Sequence, residues 1–132
     1  MHGVHLIMDV VAQHNLNDRE AIRNWVNTVA DRTRMVVLSE TTLRLVSADY
    51  DSGPGVSCNV TIAESHITVH TWPESGRMSF DMYSCRPFDV LEVKGLLMES
   101  FGVTKVLREW TLDRAEMDPF RAKPMPVPEE VA

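Results

Sequence analysis

Residues 63–74 read AESHITVHTWPE, and the alternating character of these side chains indicates the sheet around which the chain folds. Ile67 and Val69 alternate with two histidines and a threonine, which is the period of two expected of a β-strand with one apolar and one polar face. Residues 73–76 predict a turn, and residues 77–85 predict a further strand. Two strands this close in sequence should pair as an antiparallel hairpin at the centre of a sheet.

The second strand of this hairpin also has two different faces. Its methionines and Phe80 lie on one side, and its polar residues lie on the other. The polar face of the hairpin would then carry Thr68, His70, Asp81, Tyr83 and Cys85. Exposed His and Thr are ordinary on an open antiparallel sheet, so this face is either simple solvent surface or the place where chemistry or a partner is found.

The remaining pattern predicts an α+β fold, a two-layer α/β sandwich in which an antiparallel sheet is covered on one face by two helices. Strands are predicted over residues 4–12, 35–48, 56–64, 66–72, 77–85 and 103–112. One helix should begin near residue 18, where Asn17 and Glu20 form a capping pair, and end near residue 31. The other should carry Pro87 in its first turn and stop at Gly102. Trp25 lies on the apolar stripe of the first helix and is expected in the core.

The length and composition favour one domain. With 132 residues and 44% hydrophobic content, the chain can bury a single core, expected over residues 1–112. Residues 113–132 contain four prolines and predict a flexible tail. Lys and Arg number 13 against 19 Asp and Glu, a net charge of −6 without a basic cluster, which argues against nucleic acid or an anionic membrane as partner. The absence of an export signal or a membrane span predicts a cytoplasmic protein.

The two cysteines are expected to be reduced in that compartment. Cys58 lies in an apolar strand and is expected to be a small buried hydrophobe. Cys85 ends the polar face of the hairpin, so we expect a chemical role for it.

The motifs Glu64-Ser65-His66, residues 70–74 (His-Thr-Trp-Pro-Glu) and Cys85 resemble the core of the prokaryotic S-adenosylmethionine decarboxylase proenzymes, a family of small pyruvoyl-dependent enzymes. The resemblance extends from about Gly3 to Leu112. It implies an enzyme that converts S-adenosylmethionine to decarboxylated S-adenosylmethionine and CO2 for spermidine synthesis. It also implies a homodimer with each site close to the subunit boundary.

In this family a serine makes the cofactor. By resemblance the Ser65 hydroxyl attacks the carbonyl of Glu64, and β-elimination from the ester cuts the chain between these residues and leaves a covalent pyruvoyl group. The products would be a β subunit of residues 1–64 and an α subunit of residues 65–132. The pyruvoyl carbonyl would form a Schiff base with the substrate amine and act as the electron sink.

Further roles follow from the same resemblance. His70 matches the base of self-processing, and Cys85 matches the donor that reprotonates the α-carbon. Trp72 and Glu74 match positions that bind the nucleoside, and Ser57 matches a supporting position close to the pyruvoyl. On an ideal strand residues 65 and 70 point to opposite faces, so we expect a bend at the Glu64–Ser65 junction.

Two departures from the family pattern leave alternatives open. The loop at Tyr50-Asp51 differs where the family places an aromatic for the adenine, and Arg86 replaces the glycine that usually follows the catalytic cysteine. The chain could therefore decarboxylate another amino acid, such as ornithine or arginine. It could also be an uncleaved, inactive relative that binds a partner.

Two other site chemistries are disfavoured. His66 and His70 lie about 13 Å apart along a strand with about 3.3 Å per residue, too far to share a zinc ion with bonds of about 2 Å, so no metal is expected. A hydrolase triad of Ser65, His70 and Asp81 lacks the glycine-flanked turn that such a serine requires.

Overall fold

Six strands and two helices make up the part of the chain that the computed structural model describes, which is residues 3–39, 42–47, 49 and 54–114. The strands are β1 (Val4–Ala12), β2 (Thr42–Val46), β3 (Gly55–Ile62), β4 (Ser65–Trp72), β5 (Arg77–Ser84) and β6 (Val103–Asp113), and the helices are α1 (Arg19–Arg32) and α2 (Val90–Phe101). All neighbouring strands pair antiparallel in one sheet with the order β2-β3-β4-β5-β1-β6. The predicted β4–β5 hairpin is therefore confirmed at the centre of the sheet.

The core lies between the sheet and the two helices. Alternate residues of β1, β3, β4 and β5 are buried, and they meet the buried stripes of α1 and α2. Trp25 of α1 packs edge-on against Phe80 of β5 and Phe101 of α2, with ring centres 5.3 and 5.0 Å apart. The prediction of a two-layer α+β sandwich with helices on one face is confirmed, as is the place of Trp25 in the core.

The helix starts differ from the predicted ones. Asp18 caps α1, since its side chain accepts a hydrogen bond from the Ala21 N–H at 3.0 Å, so the predicted capping pair of Asn17 and Glu20 is wrong. Asp89 caps α2 by accepting from the Glu92 N–H at 3.1 Å, which leaves Pro87 before the helix. In both cases an aspartate in extended conformation satisfies a free N–H of the first turn.

Strand bounds differ most between α1 and β3. Of the strand predicted over residues 35–48, only β2 forms within the described residues, and Val37 makes a single bridge to Ile62. Residues 36–38 are exposed although they are apolar, so here hydrophobicity does not report burial in the sheet. β3 ends at Ile62 because Ala63 and Glu64 form the turn into β4, which begins at Ser65.

No helix within residues 3–39, 42–47, 49 and 54–114 is both long and apolar enough to cross a membrane. The predicted tail begins at Asp113, which ends β6, and its residues 115–132 lie outside the described part of the chain.

Candidate active site

The face of the sheet opposite the helices is open and polar. Strands β1, β3, β4 and β5 alternate, so that each residue between two core residues points to this face. Its polar and aromatic residues include His5, Asp9, Ser57, Asn59, His66, Thr68, His70, Trp72, Ser79, Asp81 and Tyr83. Imidazole, carboxylate, hydroxyl and phenol groups, which can all take part in proton transfer, are therefore present on one surface.

The Glu64–Ser65 peptide lies at the tight turn between β3 and β4. Ser65 is paired with Ile62 across this turn and with Ser84 of β5. The backbone N–H of Cys85 donates a hydrogen bond to the carbonyl oxygen of Glu64 at 3.0 Å. An N–H group in this position can stabilise negative charge that develops on that oxygen.

The side chain of Glu64 is also held in place. Its Oε1 accepts a hydrogen bond from the Val36 N–H at 3.2 Å and lies 3.8 Å from the Arg86 guanidinium, and the side chain is 12% exposed. The same guanidinium donates to the carbonyl oxygen of Arg34. Arg86, which departs from the family pattern, therefore connects the segment that precedes Ser65 with the turn that follows α1.

A chain of hydrogen bonds leads from Ser65 across the open face. Ser65 Oγ lies 3.1 Å from His66 Nδ1, and His66 Nε2 lies 3.1 Å from Asp81 Oδ2. His5 Nε2 contacts the other oxygen, Asp81 Oδ1. Asp81 on β5 thus connects the strands on both of its sides, β4 and β1.

This arrangement lowers the pKa of Asp81. Burial by itself would raise the pKa of the carboxyl, but the hydrogen bonds from His5 and His66 and the charges of both imidazoles outweigh burial, so the pKa lies below its ordinary value. Asp81 is therefore ionised at neutral pH and accepts both N–H groups.

A second histidine forms its own pair on β4. His70 Nδ1 lies 2.9 Å from the Oγ of Ser57, its cross-strand partner on β3. The ring of Trp72 follows with its centre 6.4 Å from that of His70. Trp72 also lines a cavity of about 300 Å³ at this end of the hairpin, and Glu74 is exposed in the turn that follows.

The predicted site residues therefore fall into two groups, and the structure adds His66 and Asp81 to the first of them. We call Glu64, Ser65, His66, Asp81 and Cys85 the Ser65 group, and Ser57, His70, Trp72 and Glu74 the His70 group. β4 is paired with β3 and β5 in regular register, so Ser65 and His70 are about 17 Å apart at about 3.3 Å per residue. The chain turns directly before Ser65, at the position where a bend is expected. The imidazole that lies beside Ser65, however, belongs to His66.

His66 and His5 are the residues that sequence reasoning did not assign. The observed register of the hairpin sets His66 diagonally across from Asp81 on the polar face, and a two-residue offset of this kind could have been worked out from the predicted strands and turn. His5 could not, because its place depends on the pairing of β1 with β5, which are distant in sequence.

His5, His66 and Asp81 could also hold a cation. One ligand atom from each lies within 4.8 Å of the others. Two imidazoles and a carboxylate form a set that first-row transition metals accept. The spacing of about 13 Å at about 3.3 Å per residue that rules out a shared zinc ion applies to His66 with His70 and not to this cluster.

The other cysteine is remote from this face. Cys58 points to the helices and is 1% exposed, as predicted, and burial raises its pKa to about 11 despite the nearby charge of Arg23. Its thiol is therefore neutral at physiological pH. Tyr50 and Asp51, the departure at the adenine position, lie outside the described residues.

Comparison with known proteins identifies the family. The family model described as S-adenosylmethionine decarboxylase matches residues 4–112. An S-adenosylmethionine decarboxylase proenzyme from Archaeoglobus fulgidus is 30% identical over 116 residues, covering 85% of this chain and 96% of the relative. A proenzyme of the same name from Saccharolobus islandicus is 31% identical over 102 residues, covering 76% and 75%.

A solved structure shares the fold. The crystal structure of the adenosylmethionine decarboxylase from Aquifex aeolicus VF5 matches with a TM-score of 0.69 at 20% identity, over 83% of this chain and 88% of that one. Since the family model spans most of the chain and the motifs at Ser65, His70 and Cys85 lie inside that span, the chain belongs to the S-adenosylmethionine decarboxylase family.

Proposed function

We propose that the chain is a self-processing, pyruvoyl-dependent decarboxylase that converts S-adenosylmethionine to decarboxylated S-adenosylmethionine and CO2, which would serve spermidine synthesis. The observation that carries this proposal is the Glu64–Ser65 junction. There the carbonyl oxygen accepts a backbone hydrogen bond from Cys85, and the adjacent hydroxyl is hydrogen-bonded to an imidazole. A nucleophile, a base and a polarised carbonyl are the components of acyl transfer.

Self-cleavage would begin with an acyl shift. Ser65 Oγ bonds to the carbonyl carbon of Glu64, the C–N bond of the peptide breaks, and the nitrogen of residue 65 becomes a free amine. A base then removes the α-proton of residue 65, the Cβ–Oγ bond breaks, and Glu64 leaves as a carboxylate. Tautomerisation of the resulting dehydroalanine and addition of water release ammonia and leave the pyruvoyl group at the start of residues 65–132. One water is consumed and one ammonia is released for each cleavage.

The residues of the Ser65 group fit the decarboxylation that follows. The ketone of the pyruvoyl group supplies an electron sink for the electron pair that CO2 leaves behind. Cys85 is half-buried and its backbone N–H bonds to the Glu64 carbonyl, which sets this residue beside the cleavage junction and supports a role for its thiol in returning a proton to the α-carbon.

The separation of the two groups supports a homodimer. Trp72 is about 23 Å from Ser65 along β4 at about 3.3 Å per residue, so one protomer cannot bring both groups to one substrate. A two-fold axis places the same surface of both copies in contact, which lets the His70 group of one protomer face the Ser65 group of its partner. Each dimer would then contain two complete sites.

Release of CO2 tests the substrate. Purified wild-type protein, after its cleavage has been verified, is incubated with carboxyl-labelled S-adenosylmethionine, ornithine or arginine. We expect labelled CO2 from S-adenosylmethionine alone, and Ser65→Ala as the control should release none. Release from ornithine or arginine instead would show that the substrate is a different amino acid and would refute S-adenosylmethionine as the substrate. A cleaved protein that releases CO2 from none of them would overturn the proposal.

A further inference from the structure

We propose that His66, oriented by Asp81, is the base that takes the hydroxyl proton of Ser65 in the first step of self-cleavage, and that His5 is a positioning residue for Asp81. This inference rests on the proposed self-cleavage and assigns one of its steps to named side chains. It gives His66 a part distinct from that of His70.

The hydrogen bonds set the tautomer of His66. A carboxylate can only accept, so His66 Nε2 carries the hydrogen that is donated to Asp81 Oδ2 at 3.1 Å. His66 Nδ1 then has a free lone pair, and Ser65 Oγ lies 3.1 Å from it. The serine hydroxyl must therefore donate to the imidazole, which is the direction that a base requires.

His5 stabilises the same arrangement from the neighbouring strand. It contacts Asp81 Oδ1 and leaves Oδ2 to His66, so each carboxylate oxygen has its own N–H donor. The carboxylate cannot rotate without losing both contacts. Three adjacent strands, β4, β5 and β1, thereby fix the orientation of the imidazole beside Ser65.

The other groups around His66 are few within the described residues. Tyr83 of β5 has its ring centre 6.2 Å from that of His66 and 5.5 Å from that of His5. The guanidinium of Arg114 lies 4.2 Å from the centre of the Tyr83 ring, on β3 the cross-strand partner is the neutral Thr61, and Asp81 supplies the negative charge. An imidazolium that forms on His66 is therefore stabilised directly by Asp81.

The proposed step balances without any other reactant. The proton moves from Ser65 Oγ to His66 Nδ1 as Oγ bonds to the carbonyl carbon of Glu64. Negative charge develops on the Glu64 oxygen, which accepts the N–H of Cys85. The C–N bond then breaks, and the imidazolium gives the proton to the leaving nitrogen of residue 65. The products are an ester and a free amine, and His66 returns to its neutral form.

His70 is left with the later step. Within one protomer it is hydrogen-bonded to Ser57 and remote from the Ser65 hydroxyl. Elimination needs a base for the α-proton of residue 65 after the ester has formed, and His70 of the partner subunit can supply it in the proposed dimer. The two histidines can thus be separated by experiment, because loss of His66 blocks ester formation whereas loss of His70 lets ester accumulate.

Cleavage during cell-free synthesis tests this assignment, with labelled chains followed by denaturing electrophoresis. We expect His66→Ala and Asp81→Asn to slow the appearance of the two fragments by at least about 100-fold, the lower range for loss of a general base. Thr68→Ala is the matched control, because Thr68 occupies the same face of β4 and bonds to Asn59 rather than to Ser65. It should cleave at the wild-type rate.

Hydroxylamine, which cuts esters under conditions that leave peptide bonds intact, identifies the blocked step. We expect it to cut His70→Ala at position 64 and to leave His66→Ala whole. Fragment formation in His66→Ala at the wild-type rate, or slow cleavage with an ester that hydroxylamine cuts, would overturn the assignment. Far-UV circular dichroism verifies folding, and His66→Gln is measured if the alanine variant does not fold. If the wild-type chain does not cleave, the proposed function itself is refuted. If the wild-type chain cleaves and the His66 variant cleaves equally well, only the role of His66 is refuted.

Discussion

At the scale of single residues, Cys85 takes part in the proposed chemistry through two different atoms. Its backbone N–H donates to the Glu64 carbonyl and belongs to self-cleavage, whereas its thiol is proposed for decarboxylation. A side-chain substitution removes only the second contribution. The two reactions can therefore be tested separately at one position.

Cys85→Ala should still cut itself into residues 1–64 and 65–132 but decarboxylate poorly. The N–H remains, so we expect fragment formation within a few-fold of wild type, and a kcat lowered by about 100-fold or more because the proton donor is absent. Electrophoresis and CO2 release measure the two effects. Cys58→Ala is the control, because it removes a thiol from the covered face of the sheet, and it should keep both self-cleavage and decarboxylation. An unchanged kcat in Cys85→Ala would contradict the role of the thiol.

At the scale of elements, α2 is defined by features that the sequence displays. Its stop was predictable from the glycine at position 102, because helices commonly end at a glycine in the left-handed conformation. Gly102 has this conformation, with φ 59°, and its N–H bonds to the Met98 carbonyl. Gly95 lies within the same helix and has open space around the position of a Cβ. Substitution of these two glycines by alanine should therefore change the stability of the fold in opposite directions.

Gly102→Ala should destabilise the fold by about 1 kcal/mol or more, because alanine is strained at positive φ and its Cβ would meet the ring of His14. Gly95→Ala, the matched control, should stabilise it by about 0.5–1 kcal/mol, since it removes a flexible residue from a helix interior. Urea unfolding followed by circular dichroism measures both. A Gly102→Ala variant as stable as wild type would show that the left-handed cap is not needed.

The same elements show how far sequence reasoning reaches. Alternation in residues 66–72 and 77–85 identified the central hairpin and its polar face, since a period of two has one structural meaning over that length. The cap of α1 was placed one residue early because Asn17 and Asp18 are both good caps and only the backbone decides between them. The separation of Ser65 from His70 follows from a regular β4 and could be predicted from strand geometry, whereas the hydrogen bond of Ser65 to His66 could not, because it depends on the turn before Ser65.

At the scale of the whole molecule, two incomplete groups at opposite ends of β4 are the central feature. Neither group alone contains both Ser65, the proposed source of the pyruvoyl group, and His70, the histidine that the family resemblance assigns to processing. If a second protomer completes each site, a mixed dimer of one protomer that lacks Ser65 and one that lacks His70 still contains one complete site.

Coexpression of Ser65→Ala with a differently tagged His70→Ala tests this arrangement. Each variant alone should remain one chain. In mixed dimers the His70→Ala protomer keeps Ser65 and receives His70 from its partner, so we expect cleavage of that chain only. Electrophoresis with detection of each tag measures the outcome. Coexpression of His70→Ala with Ser65→Ala/His70→Ala is the control and should give no fragments, and no cleavage in verified mixed dimers would contradict a shared site.

The intact mass of freshly purified wild-type protein tests the central claim, that Ser65 is converted and the chain is cut there. We expect one chain ending at Glu64 with a free carboxylate, and a second chain covering residues 65–132 whose blocked terminus has the mass of a pyruvoyl group and takes up hydrogen from borohydride. A single polypeptide of 132 residues that persists on prolonged incubation, with serine still at position 65, would contradict it.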